Sequence, residues 1–590
     1  MACAGAIAAS GLVHAELVQM NGASRSETAF IASNIDLINK GAASLVSATH
    51  SGYTPYSSGG RAATNAANLN DGALGLPYTG YGAAALSTVS YDSDGRWSST
   101  YRLNTTTNAT GYDISGIRTV SGAPSVARNQ RFELLFSTVD SPETFTSYGT
   151  YSHAPGGFGG ARITLTGSGG AIAKNVAAVR FSVDQAEGVA TVYREFDVFG
   201  APTGSGHPSA FQRVTPDDSR ITYSDYARLV RLDASEARFD RPLAGARGGR
   251  ENANPAARVR FRTDATMITA SFTTGTLATT QGTGVILVDG VRAGTFDASV
   301  SGSMLEVDVP IPGAGYRDIE LLLPYSQDVR FTGLLVNGEA GFQSPTVRSP
   351  IRYVAYGDSI TQGFWSSDAY SNYSSLVGKQ NNWEVVNMGF GSRGLKDSGS
   401  GGADGAVVAS LGADVISVMM GANDAAAQVS ANTYRALMEA FVARIREVDG
   451  TVPIYLISPL YTSNAAIQPR LLEYRNQITG LVNDSPESKL HWIDGLSLGI
   501  DATNVGSLTS DGIHPNDTGF SLLASNLAPQ MSPSSRLQGF GLTLGSLSPQ
   551  TLSIAGASSI QVRVVPEPAA IVMVVVSAIL LLPRCTRRSS

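Results

Sequence analysis

Cysteine is almost missing from this sequence. Its 590 residues hold two, Cys3 and Cys585, at opposite extremities, in segments read below as removed from the mature chain. Neither disulfides nor a thiolate metal site can then hold the protein together. Charge is also scarce, at 15% of residues with a formal net charge of -6. With no basic excess there is no electrostatic track for a phosphate backbone, which excludes nucleic acid as a partner. Metal-ligand clusters, phosphate-cradling glycine loops and dinucleotide fingerprints are lacking too, so no metal and no cofactor is expected. Histidine numbers six, which leaves few candidates for a general base. What is plentiful is Gly, at 64 residues, together with Ser, Thr and Ala. That texture fits secreted β-rich modules better than helical cytosolic enzymes, and the length calls for several domains.

The two ends carry addressing signals. Met1 to Ala15 is a run of small and apolar residues ending in Val13-His14-Ala15, read as a signal peptide whose basic start is clipped, the alternative being a plain apolar strand. At the other end, Val565-Pro566-Glu567-Pro568 precedes an uncharged run from Ala569 to Leu582, followed by Arg584, Arg587 and Arg588. As a helix that run would rise about 21 Å, short of the roughly 30 Å hydrocarbon core. The arginines would face the cytoplasm. Residues 566–590 resemble the PEP-CTERM sorting signal of bacterial envelope proteins, which implies an exosortase-type processing partner; the alternative is an ordinary single-span transmembrane anchor. Both readings export the chain to the cell envelope or extracellular matrix.

Between the ends, texture divides the chain. Residues 16–200 are polar and turn-rich, with Ala161 to Thr166 and Val189 to Phe199 the clearest strands. In the latter, Phe196 and Val198 alternate with Glu195 and Asp197 in the pattern of a half-buried strand. Asn68-Leu69-Asn70-Asp71-Gly72 and Tyr193-Arg194-Glu195-Phe196-Asp197-Val198-Phe199-Gly200 resemble discoidin-type jelly rolls, a likeness that implies a glycan or cell-surface ligand; a β-sandwich spacer is the alternative. Residues 201–255 read as a loop-like junction. From 256 to 345 strands return without helices between them. Val285 to Val288 meets Val291 to Phe296 through Asp289-Gly290, a dipeptide suited to a type I′ hairpin. Leu305, Val307 and Val309 alternate with Glu306 and Asp308, and Ile319 to Leu323 ends at Pro324. A second small antiparallel sandwich is expected. Past Pro350 strands alternate with helices: Leu437, Phe441, Ile445 and Val448 share a helical stripe stopped by Gly450, Ile454 to Ile457 is a buried strand, and residues 470–483 form another helix. This βαβ rhythm implies an α/β/α domain with a mainly parallel sheet over residues 346–531. Residues 532–565 read as a Ser- and Gly-rich spacer.

The candidate chemistry lies in that third domain. Tyr353-Val-Ala-Tyr-Gly-Asp-Ser-Ile-Thr-Gln-Gly363 is an apolar strand that stops at Gly357-Asp358-Ser359. Open α/β sheets bind ligands beyond the carboxyl ends of their strands, so Ser359 is the candidate nucleophile. A serine hydroxyl needs a base to take its proton, and imidazole suits that role near neutral pH. Of the six histidines, His14 lies in the signal, His50, His153 and His207 in the β-rich half, and His491 beside a strand. His514 alone follows a carboxylate in a turn, Asp511-Gly512-Ile513-His514-Pro515. Asp511 can curl back onto the imidazole Nδ1 proton, fixing the tautomer and stabilising the imidazolium.

Ser359, the glycine loop at Gly389, Asn423 in Gly421-Ala422-Asn423-Asp424, and His514, in that order, resemble the SGNH hydrolases, also called GDSL esterases. The resemblance covers residues 346–531. It implies that Ser359, His514 and Asp511 form the catalytic triad and that the oxyanion hole comprises the backbone N–H of Ser359, the Asn423 amide and a backbone N–H of the glycine loop. That loop departs from the family's Asn-x-Gly-x-x-Gly: in Asn387-Met388-Gly389-Phe390-Gly391-Ser392 a serine stands at the second glycine, leaving Gly391 or Ser392 as donor. Asp358 and Asp424 are expected to be structural hydrogen-bond partners. A jelly roll directly before such a domain resembles the layout of two-domain carbohydrate esterases, which implies a secreted esterase removing O-acetyl groups from polysaccharides. The alternatives are a lipase or lysophospholipase, and a non-catalytic matrix or adhesion protein with a vestigial SGNH domain.

Overall fold

Alternation shapes the amino-terminal half of the computed structural model, which describes residues 17–24, 30–33, 35–52, 66–74, 97–123, 128–167, 170–183, 191–205, 211–244, 250–275, 281–299, 302–348, 351–533, 562–565 and 573–576. From Leu17–Ser24 to Tyr193–Pro202, nine strands pair antiparallel in one network. The expected strand at Ala161 to Thr166 lies within Gly159–Gly167. Phe132, Phe181, Phe196 and Trp97 fill the core beneath, with Phe181 and Phe196 stacked at 4.4 Å. One expectation needs correction here. Glu195 and Asp197 do not face solvent; both are fully buried, because residues 30–33, 35–38 and 66–74 cover the outer face of their strand. Glu195 accepts from the Gly72 N–H and Asp197 from the Ser33 N–H, and burial raises the pKa of both carboxyls.

Residues 201–255 are not a loop-like junction. Phe211–Val214, Thr222–Ser224, Arg228–Leu232 and Ala237–Asp240 are strands of the next unit, each too short, and too interrupted by Pro and charged residues, for its alternation to stand out. They join two six-stranded antiparallel sheets whose apolar residues share one core. Phe239, Phe272 and Phe331 come from one sheet and Val259, Phe261 and Ile319 from the other. The expected hairpin is present. Val288 pairs with Val291 across a two-residue turn in which Asp289 and Gly290 both take positive φ, 50° and 75°, as a type I′ turn requires.

The first and second β units meet through a buried ion cluster. The Arg162 guanidinium donates to Glu306 and Asp308, at 2.7 Å each, with all three side chains at most 5% exposed.

The third unit is three-layered. Five parallel strands lie in the order Glu384–Gly389, Arg352–Gly357, Val415–Met419, Ile454–Ile457, Leu490–Ile493. They are buried on both faces, so their period of two sorts one apolar neighbour from another. Val354 and Tyr356 pack with Phe441 and Ile478 of the helices Ala431–Val448 and Gln468–Asp484. Tyr353 and Ala355 pack with Val377 and Phe520 of Tyr373–Asn381 and Asp517–Leu527. The expected stripe on Ala431–Val448 is rotated: Tyr434, Met438, Phe441, Val442 and Ile445 are its buried residues, while Val448 at the frayed end is exposed.

The carboxyl-terminal unit, Ser535–Ser590, is described only as two antiparallel strands, Val562–Val565 and Met573–Val576. The apolar run expected to be helical is therefore extended over its four described residues. The signal peptide at residues 1–15 and the rest of the tail lie outside the described residues. Among those described, no helix is long and apolar enough to cross a membrane.

Candidate active site

The carboxyl ends of three adjacent strands carry the site. Arg352–Gly357 ends in Asp358, a buried carboxylate that caps the short helix Ser359–Gln362 by accepting from the Ile360 N–H at 2.9 Å. Burial pushes its pKa up to about 6, against the lowering effect of the Ile360 N–H and the nearby imidazole. Ser359 is thus the first residue of a helix, with its hydroxyl aimed out of the sheet. Its Oγ lies 2.8 Å from His514 Nε2.

His514 is presented by a tightly bonded turn. Asp511 Oδ1 accepts from the backbone N–H groups of Ile513 and His514, at 3.0 and 2.8 Å, and Oδ2 lies 2.7 Å from His514 Nδ1. Burial raises the Asp511 pKa, but these donors outweigh it and hold the carboxyl below its ordinary value. An ionised carboxylate can only accept, so Nδ1 bears the proton and Nε2 is left to accept from the serine hydroxyl. Gly512, at φ +81°, lies so close to Ser463 that an added Cβ would come within 2.1 Å of its hydroxyl. Its carbonyl accepts from Thr462 and Ser463, which ties the turn to the loop after Ile454–Ile457.

The strand Glu384–Gly389 feeds the glycine loop. A Cβ on Gly389 would lie 2.1 Å from the Gln362 backbone nitrogen, so this loop packs directly on the helix that bears Ser359. The Gly391 N–H donates to Gln362 Oε1 at 2.7 Å. Ser392 takes the left-handed conformation at φ 63°, and its N–H has no acceptor among the described residues. Asn423, after the strand Val415–Met419, donates one amide hydrogen to the Arg393 carbonyl at 3.0 Å, leaving the other without a protein acceptor among the described residues. Asp424 behind it accepts from the Leu395 and Lys396 N–H groups. Asp358 and Asp424 therefore both serve the backbone.

Three supports were not legible in the sequence. Arg241, fully buried at the end of a strand of the second β unit, donates to the Gly389 carbonyl and lies 4.1 Å from the Phe390 ring. Gln362 donates through Nε2 to the Tyr325 carbonyl, also in that unit. Arg393 forms a buried ion pair with Asp404, whose carboxylate also accepts from the Tyr356 hydroxyl and the Ala244 N–H. Arg241 and Tyr325 come from distant segments, and no local pattern flags them.

The sequence between Ala355 and Leu522 matches the GDSL-like Lipase/Acylhydrolase family. This chain carries a GDSL hydrolase domain. No curated protein matches the chain. Among solved structures, a salicylyl-acyltransferase from a tetracycline biosynthetic pathway is 22% identical, covering 56% of this chain and 98% of its own, with a TM-score of 0.46. A family two carbohydrate esterase from Clostridium thermocellum is 15% identical over 52% of this chain and 97% of its own, with a TM-score of 0.42. An acetyl xylan esterase from Butyrivibrio proteoclasticus is 13% identical over 55% and 98%, with a TM-score of 0.40.

A small cavity adjoins the GDSL site. A cavity of about 20 Å³ is lined by Ile360, Ala422 and Ile513, the chain neighbours of Ser359, Asn423 and His514, with Met420 and Leu471 also in its wall. At the rim, Trp365 is 48% exposed and held at φ 72°, an outlying conformation for a bulky residue. Its edge meets Phe364, which itself lies 5.2 Å from the His514 ring.

Proposed function

We propose that the GDSL domain is a serine esterase that removes short acyl groups, foremost O-acetyl groups of polysaccharides. The observation that carries this reading is the unbroken relay from Ser359 Oγ through His514 to Asp511, at 2.8 and 2.7 Å. In it, His514 Nε2 takes the hydroxyl proton as Ser359 attacks the ester carbonyl, and Asp511 stabilises the imidazolium. The alcohol leaves with that proton, and water repeats the sequence on the acyl-enzyme. Charge on the tetrahedral oxygen is met by the Ser359 N–H, the uncommitted amide hydrogen of Asn423, and the N–H of Ser392. We assign the last donor to Ser392, since the Gly391 N–H is occupied by Gln362. The left-handed backbone at 392 supplies there what a glycine would.

One feature favours an acetylated sugar over a long-chain lipid. The exposed Trp365 face offers a platform for a sugar ring. Export to the envelope, with removal of the tail by an exosortase-type enzyme, completes the proposal and rests on the sequence of the two ends.

Ser359→Ala tests the chemistry. Hydrolysis of p-nitrophenyl acetate and release of acetate from O-acetylated glycans should both vanish while the circular dichroism spectrum stays unchanged. Retained activity in this variant would reject the assignment. Faster hydrolysis of long-chain p-nitrophenyl esters by the wild type would reject the acetyl preference.

A further inference from the structure

Far from the GDSL site, between the first and second β units, lies a cavity of about 300 Å³, the lower end of the range that encloses small ligands. One wall comes from Ile31, Ala32, Ser33, Ile35, Arg118 and Phe199 of the first unit. The other comes from Phe211, residues 266–269, Leu335 and Asn337 of the second. Arg118 stands out there. Its side chain is 1% exposed, and its guanidinium lies 4.6 Å from the centre of the Phe211 ring and 5.8 Å from that of Phe199. Nε and Nη2 are buried without an acceptor among the described residues.

Two of the nearby carboxylates are committed elsewhere. Asp308 accepts from Arg162, from the Thr269 hydroxyl and from the Ile31 N–H, and Glu306 accepts from Arg162. Asp197, opposite Arg118 on the adjacent strand, spends Oδ1 on the Ser33 N–H; its Oδ2 is buried without a hydrogen-bond partner among the described residues, and it makes no hydrogen bond or ion pair to Arg118 that would satisfy the guanidinium. A buried cation with unmet donors is costly, and the usual remedy is an anion that fits the fork. Guanidinium binds carboxylate in bidentate fashion.

We infer that this inter-unit cavity binds a carboxylate carried on a compact, partly apolar body, with Arg118 gripping the carboxylate and Phe199, Phe211, Ile268 and Leu335 packing against the rest. Uronic-acid residues of acidic polysaccharides and free small organic acids share that chemistry. Ser33, Thr266 and Asn337 add hydroxyl and amide groups suited to the hydroxyls of the former. Such a site would anchor the chain to an acidic glycan independently of ester hydrolysis.

Calorimetric titration of the full chain tests this with four probes: D-galacturonate, an oligogalacturonate, benzoate and the neutral sugar D-galactose. The uronates should bind at least about tenfold more tightly than galactose, the gain expected of one charge-assisted hydrogen-bond pair. Arg118→Met should abolish that preference. Arg118→Lys, which keeps charge but loses the fork, should recover only part of it, and hydrolysis of p-nitrophenyl acetate should be unchanged in both variants. Benzoate binding tighter than either uronate would assign the site to free acids. Equal binding of galactose and galacturonate, or uronate binding that survives in Arg118→Met, would overturn the inference, leaving a cavity filled by water alone. Should Arg118→Met fail to fold, competition decides: galacturonate that does not protect wild-type Arg118 from modification by phenylglyoxal has no site there.

Discussion

Two side chains beside Ser359 do different work. Asn423 is held by one amide hydrogen on the Arg393 carbonyl, which leaves the other in a fixed direction at no cost of reorganisation when charge develops. Asn423→Ala should lower kcat by about 10²- to 10³-fold with little change in KM, the usual effect of losing one oxyanion donor, as steady-state kinetics on p-nitrophenyl acetate will read. Asp358 is instead a buried acid whose pKa is raised to about 6, chiefly by desolvation. Protonation favours the folded state, so the contribution is fully present below the unfolded value of 3.8, and it is lost as pH rises through 6. Asp358→Asn keeps an acceptor for the Ile360 N–H and removes the titration. Urea unfolding at pH 4 and pH 7 should show the wild type losing up to about 3 kcal/mol relative to the variant between the two, since a tenfold change in proton affinity corresponds to about 1.4 kcal/mol. A constant difference between the two proteins across this range would show that Asp358 does not titrate in it.

At the level of the element, the glycine loop is the part of the site that depends on its neighbours. Its N–H groups can aim at an oxyanion only if the Gly389 and Asn387 carbonyls face away, and Arg241 takes both. Arg241→Met removes those donors while leaving the triad untouched, so kcat should fall by about tenfold or more at nearly constant KM, and Arg241→Lys should restore part of the loss. A structural role alone would lower the melting temperature without that kinetic split. This dependence also explains what could be read in advance. Ser359, Asn423 and the Asp511–His514 turn are local: each lies at a strand end or inside one tight turn, where a few consecutive residues betray the geometry. The choice between Gly391 and Ser392 could not be read, because it turns on Gln362, whose amide is itself oriented by the Tyr325 carbonyl of another unit. The strands at residues 211–240 escaped for a related reason. At three to five residues they are stabilised by pairing, Phe211 with the distant Asn337 and Arg228–Leu232 with the neighbouring Ala237–Asp240, and not by their own pattern. Glu195 and Asp197 misled because alternation reports which residues differ, not whether a second layer covers the polar face.

On the scale of the whole molecule, the second β unit is buried against the GDSL domain. The GDSL domain leans on residues 211–348 through Arg241 and Tyr325, through Asp225, which accepts from the Val385 N–H, and through an apolar cluster in which Val285, Leu287 and Leu322 meet Ala369 and Tyr370. Cutting there would expose that cluster and strip the glycine loop of its supports at once. The first unit meets the second through Arg162 and its two carboxylates and through Phe199 and Arg118 against Phe211; Glu306 and Asp308 would be hydrated if it were removed, since charged groups gain solvation on exposure. A chain of residues 211–533 should therefore keep kcat on p-nitrophenyl acetate within about twofold of the full protein, the surface between the units being remote from the site. A chain of residues 351–533 should be poorly soluble, and any soluble fraction should hydrolyse at least about tenfold more slowly, as Arg241→Met does, because the same contact is lost. Full activity in the shorter chain would show that the loop holds its own conformation, and that the buried contacts of Arg241 and Tyr325 fasten two units together without tuning the chemistry of either.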